Sequence, residues 1–184
     1  MNNSRIIIGI DPGTVVLGYG IIEIEGNKIK LLSMGVVQLA KHTDPLDKLK
    51  TIADKTKHLI EAYKVQHCAI EAPFFGKNAQ SMLKLGRAQG VAIAAALQGG
   101  STVTEYSPKK IKQSITGNGN ASKEQVAAML QTIVGFEIQP KFLDATDGLA
   151  AAVCHHFQTT SAMPAAGKAS GWAAFIKNNP GRVK

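Results

Sequence analysis

The stretch Ile6-Ile7-Ile8-Gly9-Ile10-Asp11-Pro12-Gly13-Thr14 constrains the fold more than any other part of this chain. Four isoleucines in five positions suit a β-strand buried on both faces. Asp-Pro-Gly is turn chemistry, so the strand ends at Asp11, where the interior of a sheet meets solvent. A carboxylate at that boundary must be solvated, paired or bound to a cation. Asp11 therefore reads either as the opening residue of a turn or as one member of a site built at a strand end.

The same pattern recurs farther on. His67-Cys68-Ala69-Ile70-Glu71 forms a second short strand ending in an acid, followed by Ala72-Pro73-Phe74-Phe75-Gly76. Proline cannot continue the ladder and biases the residue before it away from helix, which places Glu71 at or near the strand's end. Asp144 and Asp147 then stand three residues apart at the start of the alanine-rich run Leu143 to Ala152, on one face of a helix. A helix N-terminus favours negative charge, and first-turn preference alone accounts for such a pair. It does not account for acids at two strand ends and a helix start in a chain with only 13 acidic residues.

Composition indicates the partner. Lys and Arg number 21, the formal charge is +8, and no acid follows Asp147, all of which favours a polyanion over an ordinary solubility charge. The 184 residues suit one domain of ordinary size. Apolar runs are too short for a membrane span and Met1-Asn2-Asn3-Ser4 lacks a signal-peptide pattern, so a soluble intracellular protein is expected. Cys68 and Cys154 have no metal or redox spacing and read as core thiols.

Periodicity predicts strands over Arg5 to Ile10, Leu17 to Ile24 and Ile29 to Gln38, the last two joined by the hairpin signal Glu25-Gly26-Asn27-Lys28. Helices are expected over Pro45 to Tyr63 and Asn78 to Leu97, with the Glu71 strand between them and a short strand at Thr102 to Tyr106. The second helix carries Gly86, Ala88, Gly90, Ala92 and Ala94 to Ala96, a small-residue stripe suited to burial on the sheet or to a subunit contact. A helix begins with Pro108 after Ser107, and Ser122 with Gln125 forms a capping box opening the helix Lys123 to Val134. Residues 1–157 are read as the folded domain and 158–184 as a basic, poorly ordered tail, with a short helix allowed at 171–177.

Three strands, a helix, a strand, a helix, a strand and further helices, with acids ending the first and fourth strands and opening a late helix, is the order of the ribonuclease-H-like α/β fold. That fold has a five-stranded mixed sheet flanked by helices. The chain closely resembles the RuvC family of bacterial Holliday-junction resolvases through Gly9 to Thr14, Glu71 to Asn78, Lys84 to Gly90, Gly117 to Val126 and Asp144 to Ala150. The resemblance implies a homodimeric, metal-dependent endodeoxyribonuclease that nicks two strands of a four-way DNA junction symmetrically during recombination and repair. By motif position, Asp11, Glu71, Asp144 and Asp147 correspond to the catalytic, metal-holding acids. Phe74 corresponds to the aromatic that stacks on junction bases, and Lys112 and Lys123 to the basic residues beside the scissile phosphate. It further implies two Mg2+ per site, with Mn2+ as a substitute, a branch-migration partner of the RuvA and RuvB type, and a cytoplasmic, nucleoid-associated location in bacteria.

Chemistry agrees with that transfer. Phosphodiester hydrolysis needs an activated water and a stabilised leaving oxygen, which two magnesium ions supply together, and magnesium prefers carboxylate ligands. His155 and His156 are also candidate ligands, but neighbours on a helix point in different directions. Two rivals stand beside this reading. Gly9 to Thr14 also resembles the first phosphate loop of actin-like kinases and chaperone ATPases, which need a second lobe, and a junction-binding protein without nuclease activity would have no use for four acids.

Overall fold

The structure is a computed structural model and describes residues 4–73, 78–136 and 143–161. Strands β1 (Arg5–Asp11), β2 (Val16–Glu25) and β3 (Lys28–Gln38) lead into helix α1 (Pro45–Tyr63). They are followed by β4 (His67–Glu71), α2 (Ala79–Gln98), β5 (Thr102–Tyr106), α3 (Pro108–Thr116), α4 (Lys123–Val134) and α5 (Leu143–Ser161). The sheet order is β3-β2-β1-β4-β5, with the first three strands antiparallel and β1, β4 and β5 parallel. This is the five-stranded mixed sheet of the ribonuclease-H-like fold.

Alternation along the strands divides the core. Ile7, Ile22 and Ala69 pack on one face against α3, α4 and α5, through Ile111, Ile115, Leu130 and Leu149. Ile8, Ile10, Ile21, Cys68 and Ile70 pack on the other face against Ile52 and Ile60 of α1 and Ala88, Ala92 and Ala96 of α2. The isoleucine run of β1 is thus buried on both sides, as its composition requires. Both cysteines are buried and unbridged.

Local signals set the element ends. The β2–β3 hairpin turns on Gly26 and Asn27, with φ +60° at Gly26 alone, the pattern of a type II′ turn. Asn78 caps α2 by accepting from the amides of Gln80 and Ser81 at 3.0 and 3.2 Å. Ser122 and Gln125 form the reciprocal capping box of α4. Two boundaries differ from the sequence reading. The β2 and β3 strands each gain one residue at the hairpin, because ladder pairing continues to Glu25↔Lys28. Helix α5 runs to Ser161, across the boundary drawn at residue 157, because Gln158 is half-buried and its amide donates to Ser114 Oγ at 3.0 Å. Phe74, the allowed helix at 171–177 and the rest of the basic tail beyond Ser161 lie outside the described residues.

On α2 the small residues serve two faces. Ala88, Ala92, Ala95 and Ala96 are buried, whereas a Cβ added at Gly86 or Gly90 would meet nothing within 4 Å. Leu83 and Leu97 flank that open stripe and are 70% and 56% exposed. No helix among the described residues is long and apolar enough to cross a membrane.

Candidate active site

Strand geometry brings the first two acids together. Gly9 lies on the α5 face of β1, so Asp11, two residues on, shares that face. The parallel register pairs Ile10 with Ile70, and Ala69 belongs to the same face, which brings Glu71 beside Asp11. Helix α5 completes the group by crossing unusually close to β1 and β2. A Cβ on Gly9 would stand 2.0 Å from the Gly148 carbonyl oxygen, one on Gly18 would stand 2.1 Å from that of Asp144, and one on Gly20 would stand 2.5 Å from Leu149 Cα. Only glycine permits this backbone-to-backbone contact, and it holds the first turns of α5, with Asp144 and Asp147, over the strand ends.

The basic residues close the arrangement. Lys123, the first residue of α4, donates from Nζ to Asp147 Oδ2 at 2.6 Å and stands 4.0 Å from Asp144 Oδ1. Its ammonium is held above the usual lysine range, chiefly by that hydrogen bond to Asp147. Lys112 on α3 is close enough for its charge to act on Glu71. A cleft of about 240 Å³ opens beside the acids, lined in part by Asp11, Thr14, Gly18 and Asp144.

Electrostatics record the crowding. Burial, then the charge of Asp147, push the Asp11 carboxyl up to about 6, against the pull of Lys123. Burial, then the charges of Asp11 and Asp147, push Glu71 up to about 8, opposed by Lys123 and Lys112. Buried carboxylates that resist ionisation beside one another are what a divalent cation relieves, and their oxygen donors suit magnesium. The donor chemistry therefore fits such an ion. Among the described residues, however, no three acidic, histidine or cysteine side chains converge into a finished metal-ligand group. Lys123 holds the position against Asp147 that a metal would contest.

Sequence reasoning missed two supports. The Gln89 amide, buried on α2, donates to Glu105 Oε2 at 2.7 Å and reaches the Glu71 carbonyl at 3.5 Å, tying the ends of β4 and β5 to the helix. Its sequence signals are an amide set among alanines and its place in the Lys84 to Gly90 stretch, neither of which names Glu105 as partner. Lys48 on α1 donates to the Thr14 carbonyl at 3.2 Å and braces the loop after β1, a contact with no sequence signal. His155 and His156 lie toward the opposite end of α5 from the acids and contact Tyr106 and Arg5, respectively.

The chain has counterparts among known proteins. Residues 7–155 match the family described as "Crossover junction endodeoxyribonuclease RuvC". The crossover junction endodeoxyribonuclease RuvC of Cytophaga hutchinsonii is 58% identical over 181 residues, covering 98% of this chain and 89% of its own. That of Porphyromonas gingivalis is 53% identical and covered to 98% in both chains. A structure of Thermus thermophilus RuvC in complex with Holliday junction substrate superposes with a TM-score of 0.79 at 30% identity, over 85% of this chain and 96% of that one. With the family model matching residues 7–155 and nearly the full length covered at 58% identity, the chain belongs to the RuvC family of crossover junction endodeoxyribonucleases.

Proposed function

We propose that this chain resolves four-way DNA junctions by paired symmetric nicks, through hydrolysis assisted by two divalent metal ions, Mg2+ or in its place Mn2+. The observation that carries the reading is the placement of Asp11 and Glu71 at the ends of the neighbouring strands β1 and β4 with Asp147 on α5, electrostatically coupled and backed by Lys123, in a chain of this family. Asp11, Glu71, Asp144 and Asp147 would hold the metal. When bound there, it activates a water and stabilises the leaving oxygen. Lys123 and Lys112 add positive charge where a scissile phosphate would sit. Phe74, on the segment after Glu71, replaces stacking for a base opened at the crossover, a contribution of about 1 to 3 kcal/mol.

Two subunits acting together explain paired nicks, and the open α2 stripe between Leu83 and Leu97 is the face we assign to a homodimer contact. Residues 158–184 add nonspecific attraction for DNA through their lysines and arginine. A branch-migration complex of the RuvA and RuvB type would deliver the junction in the bacterial cytoplasm, at the nucleoid.

The test is direct. A labelled mobile four-way junction is incubated with the protein, with and without Mg2+, and the nicks are mapped. Symmetric nicks that require metal are expected. Asp11→Asn, Glu71→Gln and Asp147→Asn should each abolish them while leaving junction affinity intact or higher, since repulsion of the phosphates falls. Loss of binding and folding in all three would show that the acids are structural.

A further inference from the structure

The opposite edge of the parallel strands carries a second built cluster. Arg5 opens β1 and His67 opens β4, and His155 and His156 lie near the end of α5, about 18 Å along the helix from Asp144. A cavity of about 500 Å³ lies there, lined by Arg5, Gln66, His67, His156 and Thr160 together with Ser4, Ile24 and Gly26. We propose that this cavity, walled by Arg5, His67 and His156, binds a small phosphate-type anion.

Three observations converge on an anion. First, Arg5 is half-buried and makes no ion pair with a carboxylate among the described residues; its guanidinium instead donates to His156 Nδ1 at 3.2 Å. A partly buried guanidinium without an acid keeps most of its donors available.

Second, the hydrogen bonds fix what the rings present. With Nδ1 accepting from Arg5, His156 carries its proton on Nε2 as a donor. The Thr102 hydroxyl donates to the Gln66 carbonyl and so accepts from His67 Nδ1 at 2.8 Å, which leaves His67 Nε2 for a ligand once protonated. Gln66 spends its side-chain oxygen on the Ile6 amide and retains its NH2 group. Among the described residues, no carboxylate side chain lines the cavity.

Third, the histidines of the cluster are held neutral as it stands, beside the charge of Arg5. Burial, and after it the positive charge of Arg5, hold His67 and His156 below the usual imidazole range, and His155 Nε2 is buried with no partner beside His67, ring centroids 5.3 Å apart. The titratable groups that meet here are Arg5 from β1, His67 from β4, Tyr106 from β5 and both histidines of α5. An anion seated among them would offset the charge of Arg5 and favour protonation of the rings. A tetrahedral oxyanion also accepts from several directions at once, as these donors require.

The test follows the ring signals of the five histidines by NMR in the full chain at constant ionic strength, adding inorganic phosphate, adenosine monophosphate or a linear DNA duplex. Saturable shifts at His67 and His156, with His42 and His58 unmoved and titration midpoints raised by about half a pH unit, are expected with phosphate or the mononucleotide. Tighter binding of the mononucleotide would assign the site to a nucleotide phosphate, and equal binding to the free ion. Arg5→Gln should weaken the effect at least tenfold and Arg5→Lys should restore part of it, with junction nicking unchanged in phosphate-free buffer. If Arg5→Gln does not fold, His156→Gln serves the same comparison. Shifts that do not saturate, that persist in the variant, or that only duplex DNA produces would overturn the proposal.

Discussion

Helix α5 spans two clusters of like charge that answer burial in opposite directions. At its N-terminus Asp11 and Glu71 are pushed up to about 6 and about 8. Near its C-terminus burial is the largest cause holding His155 down at about 4, with the charges of His67 and Arg5 behind it. Each cluster is driven toward its neutral form because a charge beside its own kind in a poorly solvated place is costly. What differs is the relief available within the protein. The acids have Lys123 at 2.6 Å from Asp147, whereas Arg5 and the histidines have no carboxylate partner among the described residues. One end is thus prepared for a cation and the other lacks an anion, although the same helix and the same two strands build both.

The severest way to break the comparison is to remove what both ends share. Gly9→Ala places a methyl 2.0 Å from the Gly148 carbonyl oxygen and 2.3 Å from the Ala152 amide nitrogen, backbone atoms that no side-chain rotation can move. The helix must lift from the sheet, at a cost of roughly 3 kcal/mol or more. Denaturant midpoints should fall accordingly, and nicking should fail with the acids no longer over the strand ends. Gly86→Ala is the control, since its Cβ meets open space and should raise helix stability by up to about 1 kcal/mol. Equal stability of the two variants would show that α5 does not depend on the close approach.

Next in size is a pH effect that separates the two ends. Glu71 has a folded pKa above its unfolded value, so the folded state binds the extra proton and stability is lost as pH rises from about 4.5 to about 8. His155 has a folded pKa below its unfolded value, so stability present above about 6.5 is lost as pH falls toward about 4. The windows overlap below pH 6.5, but above it the Glu71 effect stands without that of His155. Metal-free protein should lose up to about 2 kcal/mol between pH 6.5 and 8, measured by urea unfolding with chelator present. Glu71→Gln should flatten that limb, and excess Mg2+ should do the same in the unaltered protein. A metal-free curve that stays flat there would mean that Glu71 ionises without penalty.

Sequence made the acid end far more legible than the histidine end, for physical reasons. Strand ends marked by Asp-Pro and Glu-Ala-Pro, and acids spaced i, i+3 at a helix start, are local patterns, so Asp11, Glu71, Asp144 and Asp147 could be placed before any fold was known. The helices Pro45–Tyr63 and Lys123–Val134 were equally local, being bounded by their own proline and capping box. Arg5, His67 and His156 are brought together by a parallel crossover and the full length of α5, and no spacing in the chain announces a contact between residues 5 and 156. The same holds for Gln89, whose partner Glu105 lies on the strand after its own helix. The glycine contacts of α5 were hidden for a different reason: Gly9, Gly18 and Gly20 looked like ordinary strand residues until a helix backbone lay on them.

A smaller effect concerns how firmly the acid end is held. Gln89→Ala removes the amide that joins Glu105 to the end of β4, at an expected cost of about 1 kcal/mol, because exposed Glu105 can recover its hydrogen bonds from water. The loss in nicking rate should exceed the loss in junction affinity, since Gln89 reaches the Glu71 carbonyl and not the DNA face of the lysines. Gln89→Glu should be worse than Gln89→Ala, placing a carboxylate against Glu105. Equal losses of affinity and rate would mean that Gln89 only supports the fold.

The smallest change in stability should come from the cation already bonded to the acid end. Lys123 is half-exposed, so Lys123→Ala should alter unfolding free energy by less than about 1 kcal/mol, even though it removes the 2.6 Å contact to Asp147. Its consequence belongs to DNA binding. If Lys123 and Lys112 each neutralise a phosphate, replacing either should reduce the slope of log affinity against log salt by about 0.9 per subunit and slow nicking as well. The two lysines should still differ. Lys123→Ala also removes the cation that a metal would have to displace from Asp147, so it should push Asp11 and Glu71 further up in the metal-free protein and lower the Mg2+ concentration needed at about pH 8, where protons compete least for the carboxylates. Lys112 lowers only Glu71 of that pair, so Lys112→Ala should show a weaker metal requirement shift at the same pH. Identical metal titrations for the two variants would mean that Lys123 acts on the phosphate alone and leaves the carboxylates as it found them.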